Sequence, residues 1–320
     1  PAWHAQGWCW CPGAASTAVC AVRVDTRIGD GDMAGARAVL AKSLTATLVC
    51  SRRLAAIGMS ISGMLPVWLG GDPSIRHDAS LYFFIFSLFL PAMQMNFLAG
   101  RMLRCSGNMH IPRIMGVTMC ALDVIFNSLL IFPTRPLDIA GITFTMPGAG
   151  LGVCGAALGT VAAEALVAGI MLRYLWTRSS TLKLTGERGS FRPQTTTLKT
   201  AFRIGFPMCM EHVVICGAQI MTTVIVAPLG VFAIAANSFA ITVESLCYMP
   251  GYGIAEAATT LVGQSIGAAR RKLTLSFARI TVLMGMGIMA LMGIPMYTFT
   301  LGLIGLMTPV RALLQLGFMA

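Results

Sequence analysis

Apolar runs of about membrane length recur along this chain, separated by short polar stretches. A helix needs about 20 apolar residues to cross a bilayer. By that measure the candidate spans are residues 8–26, 38–69, 79–99, 113–133, 149–175, 203–228, 231–265, 275–302 and 303–320. The first is poorly apolar, and the last is cut short by the end of the sequence. Spans longer than the bilayer requires must tilt, bend or project beyond it. The pattern predicts an all-α, polytopic membrane protein.

The polar stretches alternate in charge. "TRIGDGDMAGARAVLAK", "GRMLRCSGNMHIPR", "LRYLWTRSSTLKLTGERGSFRPQTTTLKTAFR" and "GAARRK" hold nearly all the Lys and Arg, while "GGDPSIRHD", "PTRPLDIAGITFTMPGAG" and "APLGVF" hold few. Every second loop is basic, so those loops are expected to face the cytoplasm. The alternation also checks the span count, because one missed helix would put basic loops on both sides. The longest polar stretch, residues 177–200, is rich in Thr, Ser and Lys with Gly and Pro and reads as a cytoplasmic linker. It separates an N-lobe, residues 1–176, from a C-lobe, residues 201–320. The halves echo each other. "TRIGDGD" closes one span and "QSIGAAR" another. Ile28-Gly29 precedes Pro73 by nearly the distance at which Ile266-Gly267 precedes Pro309. An even number of spans per half gives two pseudo-symmetric helical lobes, a repeat of parallel topology about an axis along the membrane normal.

Composition agrees with a membrane setting. The chain is 56% hydrophobic and 11% charged, where a soluble domain carries roughly 25% charged residues. The net charge of +11 does not imply nucleic acid, because the Lys and Arg stand at the ends of apolar runs rather than on a basic face. The ten Cys residues are scattered, and Cys9 with Cys11 forms C-x-C rather than C-x-x-C, so neither a disulfide framework nor a metal site is expected. "PAWHAQGWCWCPG" lacks the basic start and apolar core of a signal peptide. "VRALLQLGFMA" ends inside an apolar run. The chain reads as a fragment.

The candidate chemistry lies in the apolar runs. In "CALDVIFNSLLIF", Asp123 and Asn127 stand four apart and share a helix face. A charged Asp near a helix centre costs about 2.5–3.5 kcal/mol on insertion scales, and no Lys or Arg lies a turn away to offset it. Such a group must be protonated, paired across helices, hydrated or bound to a cation. The alternatives are therefore a structural interhelical hydrogen bond and a proton or Na⁺ site. "GFPMCMEHVVICGAQ" sets Glu211 after Pro207, with His212 beside it. "AANSFAITVESLCYMPGYG" sets Asn237 and Glu244 two turns apart on one face. Pro207, Pro250 and Gly251 are expected to break or kink their helices and free carbonyls to line a cavity. "MPGAGLGVCGAALGTVAAE" reads first as close helix packing. Thr160 could lend a hydroxyl to the Asp123 site, and Glu164, one turn on, could face the same cavity. Arg52 and Arg53 fall midway through the span 38–69, where they either snorkel or line water. No G-x-S-x-G, H-E-x-x-H or Walker P-loop is present, so an enzyme is not expected and no cofactor is implied.

Taken together, "RIGDGDMAGAR", "LRCSGNMHIPR", "SLLIF", "PGAGLGVCGAALGT", "RIGFPMCMEH" and "NSFAITVESLCYMPGYGIAEAATTLVGQSIGAARR" resemble the multidrug and toxic compound extrusion (MATE) family of cation-coupled exporters. The resemblance implies twelve helices in two lobes of six. In that register this chain holds about nine, from an incomplete second helix to a truncated tenth. It further implies an N-lobe cation site drawn from helices one, five and six. The family's helix-five pattern, Asn-x-x-x-Asp, stands here with carboxylate and amide exchanged, as Asp123 and Asn127. The helix-six hydroxyl matches Thr160, and the C-lobe acids match Glu211 and Glu244. The function implied is export of amphipathic, often cationic drugs in exchange for Na⁺ or H⁺. It would run by alternating access in a monomer set in a bacterial inner membrane. Two other readings stand beside it: a lipid-linked precursor flippase of the same superfamily, which should show a more cationic cavity, and an intramembrane binding or sensory protein without transport.

Overall fold

Helices form where the apolar runs lie, because a backbone in lipid must satisfy its own hydrogen bonds. The structure is a computed structural model that describes residues 17, 19–68, 76–139, 142–179, 182, 195–226, 228 and 230–298. The expected span 303–320, the start of the one at 8–26, the greater part of the linker, and the Pro73 and Pro309 marks lie outside the described residues. In chain order the helices are α1 (19–29), α2 (Met33–Ile61), α3 (Leu65–Trp68), α4 (Arg76–Cys105) and α5 (His110–Ile131). Strands β1 (Pro133–Ile139) and β2 (Ile142–Ala149) follow. Then come α6 (Gly152–Thr177), α7 (Thr195–Val226), α8 (Val231–Gly267) and α9 (Arg271–Thr298). Among the described residues, six helices are long and apolar enough to cross a membrane: Met33–Ile61, Arg76–Cys105, His110–Ile131, Gly152–Thr177, Gly205–Val226 and Arg271–Met296. The helical, polytopic class expected from the sequence is the one observed.

Three details depart from the sequence pattern. The span expected at 38–69 closes at Ile61, where Ser62 turns back and donates from both its N–H and its hydroxyl to the Met59 carbonyl; α3 follows separately. The loop expected between α5 and α6 contains a two-stranded antiparallel hairpin, with Arg135 opposite Met146 and Ile139 opposite Ile142. It grows directly from the helix ends, since Gly150 and Leu151 donate back to the carbonyls of Phe132 and Leu130 at 3.0 and 2.9 Å. Finally, α7 and α8 run on through Pro207 and Pro250 without a break. A proline costs one i→i−4 bond, and here the helix on either side carries that loss.

Internal packing divides the chain into two units: the described parts of residues 1–28 with 32–214, and those of residues 29–31 with 215–320. In the first unit, α4 packs on α2 and α6, and α6 packs on α5. The buried face of α2 carries Ala36, Leu40, Ser43, Thr47, Ser51, Ala55 and Gly58 at spacings of three and four, as one stripe of a 3.6-residue helix requires. Leu40 shares one buried apolar cluster with Leu98, Met102 and Leu103 of α4 and Leu175 of α6. Arg52 and Arg53 are exposed, pointing away from that stripe. In the second unit, α8 packs on α9.

The turns α1–α2, α4–α5 and α8–α9 share one geometry. Each closes its helix on a left-handed residue: Gly31 (φ 79°), Gly107 (φ 80°) and Ala269 (φ 55°). The next N–H reaches back five residues, from Asp32 to the Arg27 carbonyl, Asn108 to Leu103 and Arg270 to Ser265, at 3.0, 3.1 and 3.2 Å. This is the Schellman motif. Asp32 and Asn108 then accept with their side-chain oxygens from the N–H groups of Gly35 and Ile111, capping the following helix. The first and third turns are the "TRIGDGD" and "QSIGAAR" echo, and they share the left-handed residue and the five-residue back bond, while the side-chain cap belongs to the first alone.

Candidate cation site

Small residues bring α6 against α5. A Cβ added to Gly155 would strike the Leu130 carbonyl, and one added to Gly159 would strike the Asn127 side-chain oxygen. Helices in lipid gain little from burying apolar surface against each other, so close backbone approach at small residues is what holds them. The packing reading of "GAGLGVCGAALG" therefore describes this contact.

At that contact, Asn127 Nδ2 donates to Asp123 Oδ1 at 3.1 Å. An amide that gives its N–H to a carboxylate turns its oxygen elsewhere. Asn127 Oδ1 is shielded from solvent and has no hydrogen-bond donor. With 3.6 residues per turn, Gly155 and Gly159 face α5, while Ala157 and Val161 pack with Phe86 and Met93 of α4. Glu164 falls close to that α4-facing side, and Thr160 between it and the glycine face. Thr160 is half-buried. Glu164 is 9% exposed, and its Oε2 has no partner. Asp123 lies within electrostatic reach of both Glu164 and Tyr82 of α4. Neither carboxylate has an ion pair among the described residues.

The remaining expected site residues lie on other helices. Glu211 and its neighbour His212 are exposed on α7. Asn237 is half-buried and Glu244 exposed, both on α8, two turns apart as the spacing requires. None of Glu211, Asn237 and Glu244 makes a hydrogen bond or ion pair among the described residues. Sequence reasoning passed over three buried polar groups. Gln94 is 1% exposed with both amide atoms unpartnered. Thr47 Oγ1 is likewise unpartnered. Asn96 donates to Met119 Sδ at 3.6 Å across α4 and α5. The signal for two of them was present, since "LFLPAMQMNFLAG" holds a lone Gln and a lone Asn in an otherwise apolar run. No group of three or more His, Cys, Asp or Glu side chains gathers among the described residues. The Asp123–Asn127 pair offers oxygen donors, a type suited to a proton or a hard monovalent ion.

A bundle of membrane-length helices, with a half-buried acid–amide pair at a glycine contact, makes this a polytopic helical membrane protein. The family model described as MatE matches residues 12–129 and 207–318, and the chain belongs to that family. It is 31% identical over 208 residues to a probable multidrug resistance protein NorM of Thermotoga maritima, covering 65% of this chain and 42% of the relative. A second NorM relative, from Idiomarina loihiensis, is 29% identical over 200 residues, covering 62% of this chain and 43% of the relative. The aligned stretch thus spans about two fifths of either relative. Among solved structures, the fold matches the outward-facing conformation of a multidrug resistance MATE family transporter of the MOP superfamily. There the TM-score is 0.85 at 18% identity, over 99% of this chain and 67% of the other. A MOP superfamily transporter from Pyrococcus furiosus matches with a TM-score of 0.84 at 18% identity, over 98% of this chain and 66% of the other.

Proposed function

We propose that this chain is the core of a cation-coupled antiporter that exports amphipathic, often cationic organic compounds across a plasma membrane in exchange for Na⁺ or H⁺. The observation that carries the reading is the acid–amide pair Asp123–Asn127, held against α6 by Gly159 at membrane depth. A carboxylate kept in oil is retained at a cost, and a visiting cation offsets that cost. Thr160, half-buried on α6, would add a hydroxyl ligand. Glu211, Asn237 and Glu244 supply polar groups on α7 and α8 for the same cycle. Cation and substrate are linked because each binds the inward- and outward-open states unequally. The basic turns and the linker face the cytoplasm, and the protein works as a monomer.

The test is transport in vesicles, with a Na⁺ gradient and a pH gradient imposed separately. Efflux of an ethidium-like dye driven by at least one gradient is the expected result. Dye that binds without moving under either gradient would replace the antiporter with a binding or sensory protein. Asp123→Ala is expected to abolish gradient-driven efflux, and full retention would remove Asp123 from the coupling site.

A further inference from the structure

We propose that α2, α4 and α6 enclose an internal water site, walled by Thr47, Gln94 and the carboxyl of Glu164. It stands apart from the antiporter reading, because it needs neither a coupling cation nor Asp123. Four shielded side-chain atoms have no hydrogen-bond partner among the described residues: Thr47 Oγ1, both amide atoms of Gln94 and Glu164 Oε2. Thr47 and Gln94 are each 1% exposed. The set is mixed. The Gln94 amide nitrogen offers two N–H donors and the Thr47 hydroxyl one, while the Gln94 and Glu164 oxygens accept. A cation would be repelled by the donors and an anion by the acceptors. Water donates and accepts in equal number, so one ligand completes all four atoms. Buried polar groups that proteins leave without a side-chain partner are completed by such waters.

Register brings these side chains to one depth. The Cys105 thiol of α4 donates to Asp25 of α1 at 3.3 Å. The α1–α2 turn is centred on Gly31, so Asp25 stands opposite Arg37 of α2. From there Thr47 is ten residues along α2 and Gln94 eleven residues back along α4, roughly 15 and 16.5 Å at 1.5 Å per residue. On the other side, Met93 clusters with Val161 of α6, and a Cβ on Gly100 would lie 4.0 Å from Met171. Counted from either pair, Gln94 is opposite residues 162–165, the turn that holds Glu164. Direction agrees with depth. At about 100° per residue, Gln94 points about 100° around α4 from Met93, which faces α6, and about 40° from Leu98. Leu98 shares its cluster with Leu40 of α2, so the amide lies between α2 and α6. The α2 wall is short and polar, with Ser43 and Ser51 one turn either side of Thr47 on its buried face. Pro91 adds an acceptor a turn away, because it has no N–H to give the carbonyl of buried Ser87. In lipid, backbone groups freed in this way are completed by side chains or ordered water.

The test is X-ray footprinting of the full chain in lipid nanodiscs, in which radicals made from bound water oxidise the side chains beside it. Met93 and Met95 flank Gln94 and are buried; Met102, equally buried in the apolar cluster two turns on, is the dry control. Wild type is expected to show Met93 or Met95 converted to the sulfoxide several-fold faster than Met102. Gln94→Leu keeps the approximate size and removes both amide atoms. It is expected to bring that oxidation down to the Met102 level and to leave Met102 unchanged. Thr47→Val makes the same test from α2 and covers the case in which Gln94→Leu does not fold. Met93 and Met95 oxidised no faster than Met102 in wild type, or a rate that both variants leave in place, overturns the proposal. Thermal midpoints then say what stands there instead. Side chains bonded directly to one another would make either variant less stable, whereas dry groups left unmade would make Gln94→Leu more stable than wild type. Dye export is not part of the readout, so the water site and the antiporter fail separately.

Discussion

Two equivalent turns differ by one methyl group, and the difference is measurable. Gly31 and Ala269 both hold the left-handed position of a Schellman motif. A Cβ there costs about 1–2 kcal/mol, while glycine in place of alanine loses about 0.4–1 kcal/mol through the freer unfolded chain. The strain outweighs the entropy. Gly31→Ala is therefore expected to lower the thermal midpoint in detergent, and Ala269→Gly to leave it level or raise it. A clear drop for Ala269→Gly would show that its φ is not the cost it looks to be. The same turn carries a pH signature. The Gly35 N–H, and then the Arg27 guanidinium, hold the Asp32 carboxyl below the ordinary carboxylate value of 3.8. A group lowered on folding contributes stability above its unfolded value and loses it as pH falls through the folded one. Asp32→Asn, which keeps the cap and drops the charge, should be less stable than wild type near neutral pH. The two should converge in acid, below the folded value of Asp32, as read by thermal midpoints across pH.

At the scale of elements, the α5–α6 contact decides the site. Gly159 admits Asn127 only because it lacks a Cβ. Gly159→Val would set a side chain on the Asn127 oxygen. Either the helices part, with overpacking of about 1–3 kcal/mol, or the Asn127 amide turns and its 3.1 Å bond to Asp123 within α5 is lost. The expected outcome is a lower thermal midpoint together with weakened cation response. An exposed position of the same helix, such as Val153→Ala, should change neither. This contact also marks where the sequence was legible. Periodicity places Asp123 and Asn127 on one face, because four residues nearly complete a turn. The glycine spacing announces close packing. What neither reveals is the partner. Which face of α6 meets α4, and hence where Glu164 points, depends on the angle at which three helices cross, a tertiary quantity. The hairpin after α5 was hidden for a related reason. "PTRPLDIAGITFTMPG" holds prolines that argue against a strand, and the opposition of Arg135 to Met146 is a register that neither strand's residues show alone. The end of α2 at Ile61 is marked by Ser62-Gly63 and Pro66 just beyond it, but the apolar run continues through Trp68 and hides the stop.

For the whole molecule, charge alternation and turn geometry converge. Three connections flanked by basic residues, after α1, α4 and α8, are Schellman turns of a few residues, whereas the poorly charged connection after α5 is a hairpin. Across these four connections an electrostatic and a conformational feature agree, while the basic linker after α6 and the poorly charged connection after α7 stand outside the comparison. A tight turn keeps its Lys and Arg within a few residues of the helix ends, the distance over which basic residues set orientation. The consequence is topological and open to direct measurement. In a background with the native cysteines replaced, Ser106→Cys and Ala268→Cys stand in basic turns, and Thr134→Cys stands at the base of the hairpin. A membrane-impermeant maleimide added to intact cells should label Thr134→Cys at once. It should label the other two only after permeabilisation. Labelling of Ser106→Cys from outside would invert the bundle, and with it the side from which a cation reaches Asp123. Labelling of Ser106→Cys and Thr134→Cys from the same side would mean that α5 does not cross, and an acid on a helix that stays at one surface has ready water instead of a travelling ion.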